Sequence, residues 1–163
     1  MATVQNNQKI TPFLWFDNNV EEAMNYYTSI FKNSSIDEVR RYGEVGPGSG
    51  NVITGSFTLE GQKFMALNGG PLFKFNESVS FFVNCADQEE VDYYWNKLTT
   101  DGGQESQCGW LKDKFGLSWQ IIPEALGRML GDKDPVKAGR VMHVMLKMKK
   151  IDVADLEAAY LGS

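Results

Sequence analysis

Histidine occurs once in these 163 residues, at His143, and cysteine twice, at Cys85 and Cys108. With one histidine set far from any candidate nucleophile, the sequence offers no Ser-His-Asp or Cys-His arrangement. The cysteines read as small inert residues rather than nucleophiles. The stretch MATVQNNQK is polar and lacks the apolar core of a secretory signal. Two reduced thiols in a cytoplasmic protein are therefore expected, not a disulfide. No apolar run approaches the length of a membrane span. Positive charge is also short: 16 Lys and Arg against 21 Asp and Glu leave a net charge of -5. Phosphate binding needs surplus cations, so neither nucleic acid nor an anionic membrane is an expected partner. The basic residues gathered between Arg128 and Lys150 read as a solvated helix surface.

What the chain does have is an internal repeat. FLWFDNNVEEAMNYYTSI, from Phe13, matches FFVNCADQEEVDYYWNKL, from Phe81, at an offset of 68. Phe13 falls on Phe81, Glu22 on Glu90, Tyr26 on Tyr94 and Tyr27 on Trp95. Each copy reads as a strand followed by a helix. Residues 10–16 and 79–85 are rich in β-formers. Asn19 and Asp87 stand where a helix N-cap belongs, each with Glu three residues on, the spacing of a capping box. Val20, Ala23, Met24, Tyr27 and Ile30 share one helical face, as do Val91, Tyr94, Trp95 and Leu98. These aromatics sit at core spacing.

Strand material follows each helix. SSIDEVRRYG is one candidate, then a glycine-rich loop from Gly43 to Gly50, then NVITGSFTLE, a turn at Gly61, and QKFMALN. The second half has QCGWLKDKF, a turn at Gly116, and LSWQIIP, so the hairpin recurs at an offset of 55. NGGPLFKFNES, Asn68 to Ser78, links the copies. Beyond Pro123 the pattern is helical: a short helix to Leu130, a helix opened by Pro135 through VKAGRVMHVMLKMKK, and VADLEAAYL capped by Asp152. One domain is expected: a first module over about 9–68, a second over about 78–123, and a helical extension over about 124–161.

A βαβββ module occurring twice resembles the vicinal oxygen chelate superfamily, which includes glyoxalase I, extradiol dioxygenases and bleomycin-resistance proteins. Within it the chain is similar to the PhnB-like family, labelled 3-demethylubiquinone-9 3-methyltransferase. The likeness rests on ITPFLWFDNNVEEAMNYY, FMALNGGP, FKFNESVSFFVNC, EEVDYYWNKL, CGWLKDKFGLSWQIIP and MLKMKKIDVADLEAAY. It implies an α+β fold in which two modules form a cupped mixed sheet around a cavity, followed by C-terminal helices, in a homodimer. It also implies four metal-ligand positions, near Thr11 or Pro12, Leu67 or Asn68, Val79 or Ser80, and Ile121 or Ile122. None of these is a histidine or a carboxylate, the donors that zinc and iron prefer. No catalytic metal and no cofactor is expected. S-adenosylmethionine enters only if the methyltransferase label is taken literally. The usual glycine-rich turn for that cofactor joins a strand to a helix, whereas GEVGPGSGN joins two strands.

The expected ligand is a small aromatic or quinone-like molecule. Trp15, Phe57, Trp110 and Trp119 are the candidate walls, and Asn68, Lys112, Asp113 and Gln120 the candidate polar contacts. Lys112 and Asp113 have two readings: a pair at a cavity rim, or turn chemistry with Asp113 on backbone donors. Gln120 points to the opposite sheet face from Trp119 and Ile121. Thr54, Ser56 and Thr58 form a polar row, either cavity wall or solvent face. Three functions follow: metal-independent binding or transformation, methyl transfer to a ubiquinone precursor, or sequestration of a drug or metabolite without catalysis. No residue is singled out as catalytic.

Overall fold

The computed structural model describes residues 8–43, 48 and 50–163. The chain divides into two compact units, Met1–Lys74 and Phe75–Ser163.

The first unit runs β1 (Phe13–Phe16), α1 (Val20–Ile30), β2 (Ser34–Arg41), β3 (Val52–Leu59) and β4 (Gln62–Asn68). Its sheet has the order β1-β4-β3-β2. β1 and β4 are parallel, and the other pairs are antiparallel. Parallel neighbours need a crossover, which α1 begins. The predicted apolar stripe of α1 is buried against the sheet. Tyr27 stacks on Phe57 at 6.0 Å between ring centroids, and Phe57 on Phe64 at 5.3 Å. Leu14, Phe16 and Ala66 complete this face and are buried. Strand alternation puts Phe13, Trp15, Thr54, Ser56, Met65 and Leu67 on the far face, away from the helix.

The second unit repeats the plan with β5 (Ser80–Cys85), α2 (Gln88–Thr99), a short 3-10 turn at Thr100–Gly102, β6 (Gln104–Glu105), β7 (Trp110–Lys112) and β8 (Ser118–Pro123). The order is β5-β8-β7-β6, again with the first and last strands of the module parallel. Val91, Tyr94, Trp95 and Leu98 of α2 are buried. Leu111, Trp119 and Ile121 lie on the helix-packed face and are at most 3% exposed. The far face carries Ser80, Phe82, Trp110, Lys112, Ser118 and Gln120.

Two details of the repeat differ from the expectation. The helices align at an offset of 68, with Tyr27 and Trp95 buried at matching positions. The strands align at 69: Leu14 pairs with Ala66 where Val83 pairs with Ile121. Phe13 therefore matches Phe82, not Phe81. Three residues separate β1 from α1 but only two separate β5 from α2. In a structure of period 2, that one residue moves each side chain to the other face. The caps differ as well. Asp87 accepts from the Glu90 amide at 2.9 Å, and the Glu90 carboxylate accepts from the Ala86 amide at 3.1 Å. Asn19 makes no such bond. Asn68, at the end of β4, accepts from the Val20 amide instead, at 3.0 Å.

The extension forms α3 (Glu124–Leu130), α4 (Pro135–Met145) and α5 (Val153–Leu161). Leu126, Met129, Val141, Ile151 and Leu156 join Ile122 in one cluster, so the helices grow from the end of β8. Asp134 and Asp152 cap α4 and α5. The sequence pattern extends α4 to Lys150, but the helix ends at Met145. The carbonyls of Met148 and Lys149 accept from the amides of Cys108 and Gly109, both at 2.8 Å, which draws this segment out of helical geometry. No described helix is long and apolar enough to cross a membrane.

Candidate functional site

Side-chain parity sorts the eight candidates. Phe57 lies in the core of the first unit, 1% exposed, between Tyr27 and Phe64. Trp119 is 3% exposed on the helix-packed face of the second sheet, with its ring tilted against Phe81. Its indole nitrogen donates to Asp113 Oδ2 at 2.9 Å. Asp113 Oδ1 accepts from the amides of Phe115 at 2.9 Å and Leu117 at 3.1 Å. The carboxylate thus organises the 113–117 loop from within, and only 2% of Asp113 is exposed. Of the two readings of Lys112 and Asp113, turn chemistry describes Asp113.

Asn68 is also committed to structure. Besides capping α1 it donates from Nδ2 to the Val52 carbonyl at 3.0 Å. It ties the start of a helix to the start of a neighbouring strand. Trp15 stands on the far face of the first sheet but is held by the segment that follows β4. Its indole donates to the Gly70 carbonyl at 2.9 Å, and its ring meets Phe73 edge-on at 4.9 Å. Gly69 passes so near that a β-carbon there would lie 2.3 Å from the indole Cζ2. Only glycine permits that approach.

The remaining three candidates converge. In the register of the second sheet, Gln120 on β8 lies between Phe82 on β5 and Trp110 on β7. All three are on the far face. Phe82 is 59% exposed. Gln120 Nε2 donates to Ser80 Oγ at 2.9 Å, which orients the amide. The next row along the strands holds Ser80, Ser118, Lys112 and Gln104. Lys112 is ion-paired with Glu77. The lysine's hydrogen bond to Glu77 holds that carboxyl below its ordinary range.

A recess of about 150 Å³ opens here, lined by Glu77, Gln104, Trp110, Lys112 and Ser118 among others. The Ser118 hydroxyl is the one buried side-chain oxygen or nitrogen among the described residues without a hydrogen-bond partner. An unpaired buried donor costs about 1–3 kcal/mol. Ser118 and Glu77 were not among the sequence candidates. Ser118 had a signal: it lies two residues before Gln120 and so shares its face. Glu77 had none, because it precedes the strand.

The four tryptophans divide on the same lines. Trp15 gives its indole N–H to Gly70, Trp95 to Glu105 at 3.0 Å, and Trp119 to Asp113. The indole N–H of Trp110 has no partner among the described residues. Burial pushes the Cys85 thiol up to about 12, which keeps it protonated and inert at neutral pH. His143 is exposed on α4. Among the described residues no group of three or more His, Cys, Asp or Glu side chains could hold a metal ion. The glycine-rich segment joins the antiparallel strands β2 and β3, closed by the Tyr42 amide on the Asn51 carbonyl at 3.0 Å. Residues 44–47 and 49 of that segment lie outside the described residues.

Comparison with known proteins gives the following. Residues 8–122 match the family model of 3-demethylubiquinone-9 3-methyltransferase. The PhnB protein from Bacillus cereus, named after that enzyme, is 41% identical, with a TM-score of 0.65 over 71% of this chain and 99% of that one. A protein from Pseudomonas aeruginosa is 20% identical, with a TM-score of 0.59 over 71% and 96%. The genomically encoded fosfomycin resistance protein from Listeria monocytogenes is 13% identical, with a TM-score of 0.50 over 70% and 90%, a likeness of fold alone. No protein of curated function matches. The helices α3 to α5 lie beyond the residues the family model matches. By the family model and the Bacillus cereus relative, this chain belongs to the 3-demethylubiquinone-9 3-methyltransferase, or PhnB-like, family of the vicinal oxygen chelate superfamily.

Proposed function

We propose that the chain binds a small aromatic or quinone-like metabolite on the far face of the second sheet, without a metal ion. Trp110 carries the reading. It is the tryptophan whose indole N–H has no partner among the described residues, and it stands across from an oriented amide, Gln120. An aromatic face, a ring N–H and an amide in one row suit a flat ring bearing oxygens. Exposed Phe82 extends the row on the other side of Gln120. The donor set supports metal independence: the row offers an indole, an amide, a hydroxyl and an ammonium, none of them a preferred zinc or iron ligand, and the two carboxylates of the recess, Glu77 and Glu105, are engaged by Lys112 and by the Trp95 indole.

Thermal unfolding with 2-naphthol and related planar phenols tests this. A ligand present at 100 times its Kd stabilises by about 2.7 kcal/mol. We expect stabilisation that Trp110→Ala removes and that a chelator leaves intact. Stabilisation that disappears with the chelator and returns with zinc would overturn metal independence. The family description favours a second reading, methyl transfer to a ubiquinone precursor with S-adenosylmethionine. Calorimetry with that cofactor decides it: heat of binding supports methyl transfer, and none at millimolar cofactor rejects it. If the bound ligand is recovered unchanged after long incubation, the protein sequesters it. The proposal includes a homodimer; a solution mass near the 18.3 kDa of one chain would contradict that part.

A further inference from the structure

We infer that Lys112 and Ser118 form a seat for the carboxylate of the ligand, and that the Glu77 carboxylate holds the Lys112 side of this seat when no ligand is bound. The inference rests on the proposed aromatic binding for the rest of the ligand and goes beyond it in naming the charged group. Lys112 and Ser118 are direct cross-strand partners on one face of the sheet. Ser118 is 1% exposed and is one of the residues that line the recess, and its buried hydroxyl has no hydrogen-bond partner among the described residues. A serine hydroxyl can both donate and accept, and an ammonium offers three donors. Together they match the acceptor-only oxygens of a carboxylate.

Lys112 already holds a carboxylate. Glu77 reaches it from the segment before β5, and the Glu77 side chain is 60% exposed. An exposed ion pair of this kind is weak, so a carboxylate that also satisfies Ser118 can displace it. Charge fixes which part of the ligand enters, because Lys112 and Ser118 both line the recess. Its volume of about 150 Å³ has room for a carboxylate and the atoms beside it. Trp110 stands two residues before Lys112 on the same face, with Gln120 opposite. A ring attached to the seated carboxylate therefore lies along the Trp110–Gln120–Phe82 row. An amine ligand would be drawn to Glu77 but would leave Lys112 and Ser118 unanswered.

The test is calorimetric titration of the full chain with 2-naphthoate, its neutral amide 2-naphthamide, and the non-aromatic acid hexanoate. The expected order places 2-naphthoate at least tenfold tighter than 2-naphthamide. Lys112→Met should remove that difference. Ser118→Ala should weaken 2-naphthoate several-fold while leaving 2-naphthamide unchanged. Glu77→Gln should tighten 2-naphthoate several-fold, because the internal competitor is gone. A merely structural ion pair gives no such gain. If 2-naphthamide binds as well as 2-naphthoate, the seat is refuted while aromatic binding stands. If hexanoate matches 2-naphthoate with the same dependence on Lys112 and Ser118, the seat stands and aromatic binding is refuted. Weaker 2-naphthoate binding in Glu77→Gln overturns the stand-in role.

Discussion

The two modules share one plan and finish it differently. In the first, the chain after β4 folds back on the far face: Trp15 is bonded to Gly70, bracketed by Gly69 and Phe73, and Asn68 caps α1. In the second, the chain after β8 continues into α3, and Asp87 caps α2 from its own position. Phe82, Trp110, Gln120, Lys112 and Ser118 stay together on the far face, and among the described residues none bonds to the Trp110 indole as Gly70 does to Trp15. A repeat that supplies equal backbones thus yields unequal surfaces. Among the described residues the one buried side-chain polar atom without a hydrogen-bond partner, the Ser118 hydroxyl, falls in the second copy.

Several measurements would break or sharpen this contrast. The largest effect belongs to the helix-packed cores, which the modules share. Phe57→Ala removes the middle ring of a buried stack and should cost about 3–5 kcal/mol. Leu111→Ala at the matching place in the second unit should cost about 2–5 kcal/mol. Chemical denaturation of both variants checks this; a loss under 1 kcal/mol in either would break the equivalence. Next comes Asp113→Ala. It leaves the Phe115 and Leu117 amides and the Trp119 indole without their acceptor, and should cost about 2–3 kcal/mol. If Asp113 serves the loop only, ligand affinity measured on the still-folded variant stays unchanged.

The caps sharpen the comparison further. Asn68→Ala and Asp87→Ala should each cost about 1 kcal/mol, although the first residue lies 48 positions from the amide it caps. Asn19→Ala should be nearly neutral in the same melts, because Asn19 makes no cap bond. The smallest effect is alkaline. The folded Cys85 thiol titrates near 12 against an ordinary 9.0, owing first to burial. Its contribution to stability is complete below pH 9 and is lost as pH rises toward 12, because the unfolded thiol ionises first. Cys85→Ala should flatten that limb of the stability curve; an unchanged slope would show the thiol is not so placed.

The sequence carried the βαβββ repeat, the helix faces, the hairpin turns and the caps at Asp87 and Asp152, since each is a local pattern with a fixed period. It did not carry the one-residue difference before the helices, because Phe13 and Phe81 match by eye while only strand pairing shows their faces. Nor did it carry the capping of α1 by Asn68, a contact between distant residues. The candidate site was half legible. Trp110, Lys112 and Gln120 were named, and alternation set Gln120 apart from Trp119. Phe57, Asn68 and Asp113 look like site residues by type, and only their partners reveal them as structural. Glu77 leaves no pattern at all.

The central claim is that Trp110, alone of the four tryptophans, faces the ligand. Two-dimensional NMR of the indole N–H resonances during a titration with 2-naphthoate tests it most directly. The account predicts a progressive shift of the Trp110 signal, with those of Trp15, Trp95 and Trp119 held by Gly70, Glu105 and Asp113 and nearly unmoved. A shift at Trp15 or Trp119 with Trp110 unmoved would contradict it.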